Sequence, residues 1–149
     1  MSELNKLYKK TILEHNRNPR NYGIPENWTH HAEGLNAVCG DMVNVYLTIK
    51  DDVLQHVNYS GESCAISMAS ASMMTELSEG LTLADWFERF EMFKLLMSKD
   101  AAEDLHYETL GPVNNLVTVK KFPSRIKSAT LCWYAMAAAI KGEPTATTE

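Results

Sequence analysis

Three cysteines, at positions 39, 64 and 132, are the side chains best suited to soft-metal or sulfur chemistry in this sequence. Cys39 lies in NAVCGDMV, where Gly40 lets the backbone turn sharply between Cys39 and Asp41. A Cys-Gly-Asp triplet can direct a thiolate and a carboxylate at one centre, and zinc and iron accept both as ligands. The same triplet is also ordinary turn chemistry ahead of a strand. Cys64 lies in GESCAISMASASMMTE, immediately before a run of Ala, Ser and Met. At a helix start, unpaired N–H groups and the positive dipole end favour its thiolate over its thiol. Cys132 adjoins Trp133 in an apolar stretch. Burial is the competing reading for all three, because a free cysteine is among the most buried residue types.

The elements that must position these residues follow from periodicity. Leu4, Leu7, Tyr8, Ile12 and Leu13 form one stripe, so residues 3–16 read as an amphipathic helix, broken by Pro19, Gly23 and Pro25. From Met42 to Lys50 the period is two, with Val43, Val45, Leu47 and Ile49 on one face. The acidic turn KDD and a second alternating run from Val53 to Tyr59 complete an antiparallel hairpin. An additional strand near 28–36 has weaker patterning. A helix is expected from Ala65 to Glu79, stopped by Gly80, and another after Thr82, with Asp85 three residues on as in a capping box. Residues 101–121 are mixed, with a turn at Gly111-Pro112, and Pro123 opens a last helix to Lys141. Cys39 and Cys64 thus stand at the two open ends of one hairpin, where they and Asp41 can converge.

The bulk numbers agree with one domain. The chain has 149 residues, 45% of them apolar, enough for one core, and its five prolines and seven glycines make no linker. Residues 1–142 are read as that domain and 143–149 as a disordered tail. The absence of βαβ alternation points to an α+β fold, a small antiparallel sheet with helices packed on one face. A net charge of −5 argues against a broad nucleic-acid surface, and no apolar run approaches the roughly 20 residues needed to cross a bilayer. The charged N-terminus lacks an export signal, and the odd cysteine count suits a reducing, cytoplasmic setting rather than a disulfide framework. His30 and His31 are adjacent and would face opposite sides of a strand; His15 reads as helix support, His56 and His106 as surface residues, and WFERF and the methionines as core.

LNAVCGDMV, CAISMASASMMTE and FPSRIKSATLCWYAM, together with LYKKTILEHNRNPRNYG, resemble the SufU branch of the NifU/IscU-type iron–sulfur cluster assembly proteins. The blocks run in the expected order from Leu7 to Met136. The resemblance implies a compact IscU/SufU-like fold whose loop and helix ends gather a metal site. Carried over residue by residue, it implies metal ligands at Cys39, Asp41 and Cys64, and a functional arginine at Arg125. The fourth ligand, a cysteine in similar proteins, falls on Ser128, and Ser63 stands where they usually have glycine. A serine hydroxyl is a poor ligand for zinc or a cluster and cannot carry a persulfide. On a helix, Arg125, Ser128 and Cys132 share one stripe, with Cys132 one turn, about 5–6 Å, beyond Ser128. Cys132 is therefore a candidate replacement ligand; the alternatives are plain burial of Cys132 and a three-residue site with an open position.

By resemblance, the expected activity is zinc-dependent sulfur transfer. Cys39 would accept persulfide sulfur from a SufS-type cysteine desulfurase, and a downstream Suf scaffold or apo-protein would receive it. Zinc is the implied cofactor, with iron or a transient [2Fe–2S] cluster as the alternative cargo. Two rival readings are a [2Fe–2S] scaffold, and a non-enzymatic desulfurase-binding protein with a structural zinc or no metal.

Overall fold

A computed structural model describes residues 2–102 and 104–148. Helix α1 (Glu3–Arg17) begins at Ser2, whose hydroxyl accepts the Asn5 N–H. Its inner face is Tyr8, Ile12 and His15, while Leu4, Leu7 and Leu13 of the sequence stripe are exposed. The inner residues recur at i, i+4 and i+7, the spacing of a single helix face. His15 bonds Ser72 at 2.8 Å, and burial with the nearby Arg20 charge holds its imidazole below the usual pKa.

Strands β1 (His30–Asn36), β2 (Asp41–Lys50) and β3 (Val53–Glu62) form an antiparallel meander. The weakly patterned 28–36 stretch is thus a strand, with Ala32, Gly34 and Asn36 on its buried side. Asp51 and Asp52 make the β2–β3 turn, both at positive φ (53° and 59°), the conformation a two-residue hairpin demands. Val43, Val45 and Leu47 of β2 are fully buried beneath the helices.

Helices α2 (Ala65–Ser78), α3 (Leu83–Leu96) and α4 (Pro123–Lys141) carry most of the remaining core. Thr82 caps α3 by accepting the Asp85 N–H. Between α3 and α4, Glu108–Lys121 winds in 3-10 turns broken at Gly111. The rings of Trp133, Phe93, Trp86 and Phe90 stack into one cluster, the closest pair being Trp133 and Phe93 at 4.3 Å. Helix α2 runs through the centre on small residues, and two of its buried hydroxyls find partners on other helices: Ser70 donates to the Ala129 carbonyl, and Ser78 accepts the Trp86 indole N–H, while the buried Ser67 hydroxyl has no hydrogen bond. Small side chains let two helices approach, and the hydrogen bonds offset the desolvation of the hydroxyls.

The C-terminus differs from the expected disordered tail. Gly142 takes the left-handed conformation (φ 79°) that ends α4 and reverses the chain. Pro144 then accepts the Glu33 N–H, and β4 (Thr145–Thr147) pairs parallel with β1. Threonine-rich residues suit a strand, and the free edge of β1, which the composition of the tail does not reveal, supplies the ladder. The sheet order is β3-β2-β1-β4. Glu149, the last residue of the expected tail, lies outside the described residues.

Candidate functional site

The ends of β1, β2, α2 and α4 meet at Asp41. Its side chain is 2% exposed, and both carboxylate oxygens are engaged: Oδ1 accepts the Cys64 backbone N–H at 3.0 Å, and Oδ2 accepts the Ser128 hydroxyl at 2.7 Å. One buried carboxylate therefore joins the first residue of β2 to the start of α2 and the second turn of α4. Ser63 reinforces the junction. Its hydroxyl accepts the Met42 N–H at 3.0 Å and donates to the Met42 carbonyl at 3.1 Å.

Around this junction lie two exposed thiols. Cys64 is the N-cap residue of α2, and the helix has no side-chain cap hydrogen bond. Cys39 sits in the β1–β2 turn, where Gly40 adopts the left-handed φ of 72° that the reversal requires. The Cys39 N–H donates to Asn36 Oδ1 at 3.3 Å, and Asn36 Nδ2 donates to Thr148 Oγ1 at 3.3 Å. Thr148 in turn donates to the Lys127 carbonyl at 3.0 Å. The tail thereby ties the Cys39 turn to α4, one residue before Ser128.

The structure places Cys132 elsewhere. It is fully buried, its thiol donating to Ser70 Oγ at 3.6 Å, with the Trp133 indole N–H on the same hydroxyl at 3.2 Å. Burial pushes the Cys132 thiol up to about 12, with the Ser70 hydrogen bond only partly opposing it. The expected stripe exists, but its two buried members do different work: Ser128 meets Asp41, and Cys132, one turn deeper, meets the middle of α2. Arg125 is exposed at the start of α4, its guanidinium 4.3 Å from the centre of the Phe122 ring. The two oxygens of Asp41 bond Cys64 and Ser128, not this guanidinium.

Tyr8 was legible only as one of the α1 apolar stripe. Burial raises its phenol pKa, against a lowering by the Arg125 charge and an Arg125 hydrogen bond, while Cys64 contributes a raising charge. Tyr8 thus stands near both Arg125 and Cys64, and it also lines an apolar groove of about 340 Å³ with Ile12, Leu13 and Ala65. Only a contact between α1 and the start of α4 joins these residues, and periodicity carries no sign of it. Asn36 was likewise invisible; its signal is a polar residue on the inward face of β1.

A zinc ion, as the resemblance implies, would find donors of the right kind here. Two exposed thiols and one carboxylate stand on three converging element ends, and thiolate with carboxylate is an accepted zinc donor set. Among the described residues no three His, Cys, Asp or Glu side chains are gathered closely enough to enclose a cation. Ser128 directs its hydroxyl to Asp41, and Cys132 directs its thiol to Ser70, so neither adds a fourth donor to the site as it stands.

Comparison with known proteins agrees with the geometry. The family described as the NifU-like N-terminal domain matches residues 7–129. The chain is 36% identical over 135 residues to the zinc-dependent sulfurtransferase SufU of Bacillus subtilis, covering 91% of this chain and 90% of that protein. It is 33% identical over 147 residues to the iron–sulfur cluster assembly scaffold protein IscU of Streptococcus pyogenes, covering 95% and 87%. Among solved structures, a putative iron–sulfur cluster assembly scaffold protein for the SUF system from Fervidobacterium islandicum superposes with a TM-score of 0.75 at 31% identity, covering 91% of this chain and 97% of that one.

Proposed function

The chain belongs to the NifU-like N-terminal domain family, and from that footing we propose that it serves iron–sulfur cluster biogenesis by accepting sulfur from a cysteine desulfurase on Cys39. The observation that carries this reading is the contrast between its thiols. Cys39 is exposed on a turn at the rim of a hydrogen-bonded junction, within reach of a partner, whereas Cys132 is sealed in the core. Similarity to a protein named a zinc-dependent sulfurtransferase supports the same reading.

In the transfer step the Cys39 thiolate attacks the outer sulfur of the desulfurase persulfide. A new S–S bond forms at Cys39, the S–S bond of the donor breaks, and its electron pair leaves on the desulfurase cysteine as a thiolate. No oxidant is needed, because the sulfane sulfur moves without a change in total oxidation state. Zinc, when bound, supplies positive charge that keeps the thiols deprotonated. Cys39 and Cys64 would hold it, with Asp41 as the third donor. Arg125, exposed at the start of α4 and in contact with Tyr8, would add a fixed positive charge at the same rim. A SufS-type desulfurase is the donor in this scheme, and a Suf scaffold or apo-protein the recipient. The three free cysteines support a reducing, cytoplasmic setting.

The scaffold reading has less support. A [2Fe–2S] cluster is normally held by four protein ligands, and Ser128 stands where the last would be, with its hydroxyl committed to Asp41. The test is desulfurase turnover on L-cysteine with and without this protein. The wild-type protein should raise alanine production and Cys39→Ala should not. If the protein binds the desulfurase while neither form changes turnover, the chain is a binding protein and the transfer reading is wrong.

A further inference from the structure

The Asp41 junction is closed by hydrogen bonds alone. Its carboxylate is buried and receives one donor from each of two helices, Cys64 N–H of α2 and Ser128 O–H of α4. At 2.7 Å the Ser128 contact has the length of a charge-assisted O–H···O⁻ bond. Ser63 adds two more bonds between the start of β2 and the residue preceding Cys64.

What a cysteine would do at position 128 defines the difference. A thiol is a weak donor and would hold the carboxylate poorly. A thiolate there would repel Asp41, since two anions this close demand a cation between them. A serine hydroxyl stays neutral and donates, so the carboxylate is satisfied with no ion present. We propose that Ser128 replaces a metal-dependent contact by a neutral hydrogen bond, so that β2, α2 and α4 stay joined at Asp41 with no cation bound. Zinc at the two rim thiols then binds to a site already formed and is not its organiser. This inference rests on the junction itself and stands whether or not Cys39 accepts sulfur.

The test uses the full chain and no desulfurase. Thermal unfolding is followed with excess chelator and with added zinc, for the wild-type protein, Ser128→Ala and Ser128→Cys. Amide hydrogen exchange at Cys64 is measured on the chelated wild-type protein. Zinc that binds only the folded chain raises Tm by mass action even at a preformed site, so the deciding readout is the chelated wild-type protein, which should still unfold in one cooperative transition. In the chelated protein the Cys64 amide should be protected. Ser128→Ala strands one oxygen of a buried carboxylate and should lower the metal-free Tm by roughly 5 °C. Ser128→Cys should lose more Tm on chelation, and regain more with zinc, than the wild-type protein does. A freely exchanging Cys64 amide in the chelated wild-type protein, or an equal loss of Tm on chelation in the wild-type protein and Ser128→Cys, overturns the proposal. If Ser128→Ala does not fold, the chelated wild-type exchange decides alone. Failure of the desulfurase assay would leave all these results untouched, so the two ideas fall separately.

Discussion

Helices α2 and α4 run side by side, and what they hold at their first turns differs from what they hold deeper in. At the rim, Cys64 and Ser128 meet a carboxylate, and the thiols are exposed. Deeper along the same pair, Ser70, Ala129, Cys132 and Trp133 form a closed set of hydrogen bonds with no exposed atom of consequence. Residue type is almost the same in both places, serine and cysteine on facing helices. Depth decides the chemistry: at the rim a thiol can ionise and meet a partner, whereas in the core ionisation costs the full desolvation of the anion. Reactivity in this molecule is a property of position along one helix pair.

The largest effect should come from exchanging the roles of the two regions. Cys39→Ala is expected to reduce sulfur uptake from a desulfurase by roughly 100-fold or more, because no other side chain on the turn can carry a persulfide. Cys132→Ser should leave uptake within about 2-fold, since that thiol is buried and protonated. Labelled-sulfur transfer, measured on both variants, breaks the comparison if Cys132→Ser is the more damaging.

Stability should respond in the opposite sense. Trp133→Ala removes the centre of the aromatic cluster and should cost about 3–5 kcal/mol in urea unfolding. Cys39→Ala, on an exposed turn, should cost less than about 0.5 kcal/mol. Equal losses would mean that the rim is part of the core after all.

A pH series sharpens the contrast further. Burial pushes the Cys132 thiol up to about 12 in the folded protein, against an ordinary 9.0. Its folded-state pKa is raised, so the stability it contributes is complete below pH 9 and is lost as pH rises from 9 toward 12. The slope is about 1.4 kcal/mol per pH unit. Tyr59, likewise raised by burial to about 12 from 10.0, adds to the loss above pH 10. Between pH 8 and 10, wild-type protein should therefore lose about 1 kcal/mol more than Cys132→Ala in paired urea titrations. An identical decline in both proteins would show that the thiol is not sealed.

The smallest effect concerns the tail. Thr148→Val removes the hydroxyl that links Asn36 to the Lys127 carbonyl. It should cost about 1 kcal/mol or less and speed amide exchange at Cys39, with Cys64 unchanged. Unaltered exchange at Cys39 would show that the turn is held without the tail.

Much of this was legible in the sequence where a periodic or capped segment carried the information. Alternation marked β2 and β3, Thr82 and Pro123 marked two helix starts, and Gly142 marked a helix end. The same reading put Cys39, Asp41 and Cys64 at one end of the hairpin, and there the structure joins the Asp41 carboxylate to the Cys64 amide. The less legible features depend on contacts between distant segments. The tail strand exists because β1 offers a free edge, and Tyr8 of α1 meets Arg125 of α4 although the two lie far apart in sequence. Ser128 shows the limit most clearly. Its residue type reveals that a metal ligand is missing, but only the 2.7 Å contact with Asp41 reveals what the serine does instead.

The most direct measurement maps sulfur to individual cysteines. The protein is incubated with a cysteine desulfurase and L-cysteine, alkylated without reductant, digested and sequenced by mass spectrometry. The extra sulfur should appear on Cys39, with Cys132 unmodified. Sulfur on Cys132, or on none of the three thiols while the desulfurase itself is loaded, would contradict the division between a reactive rim and an inert core.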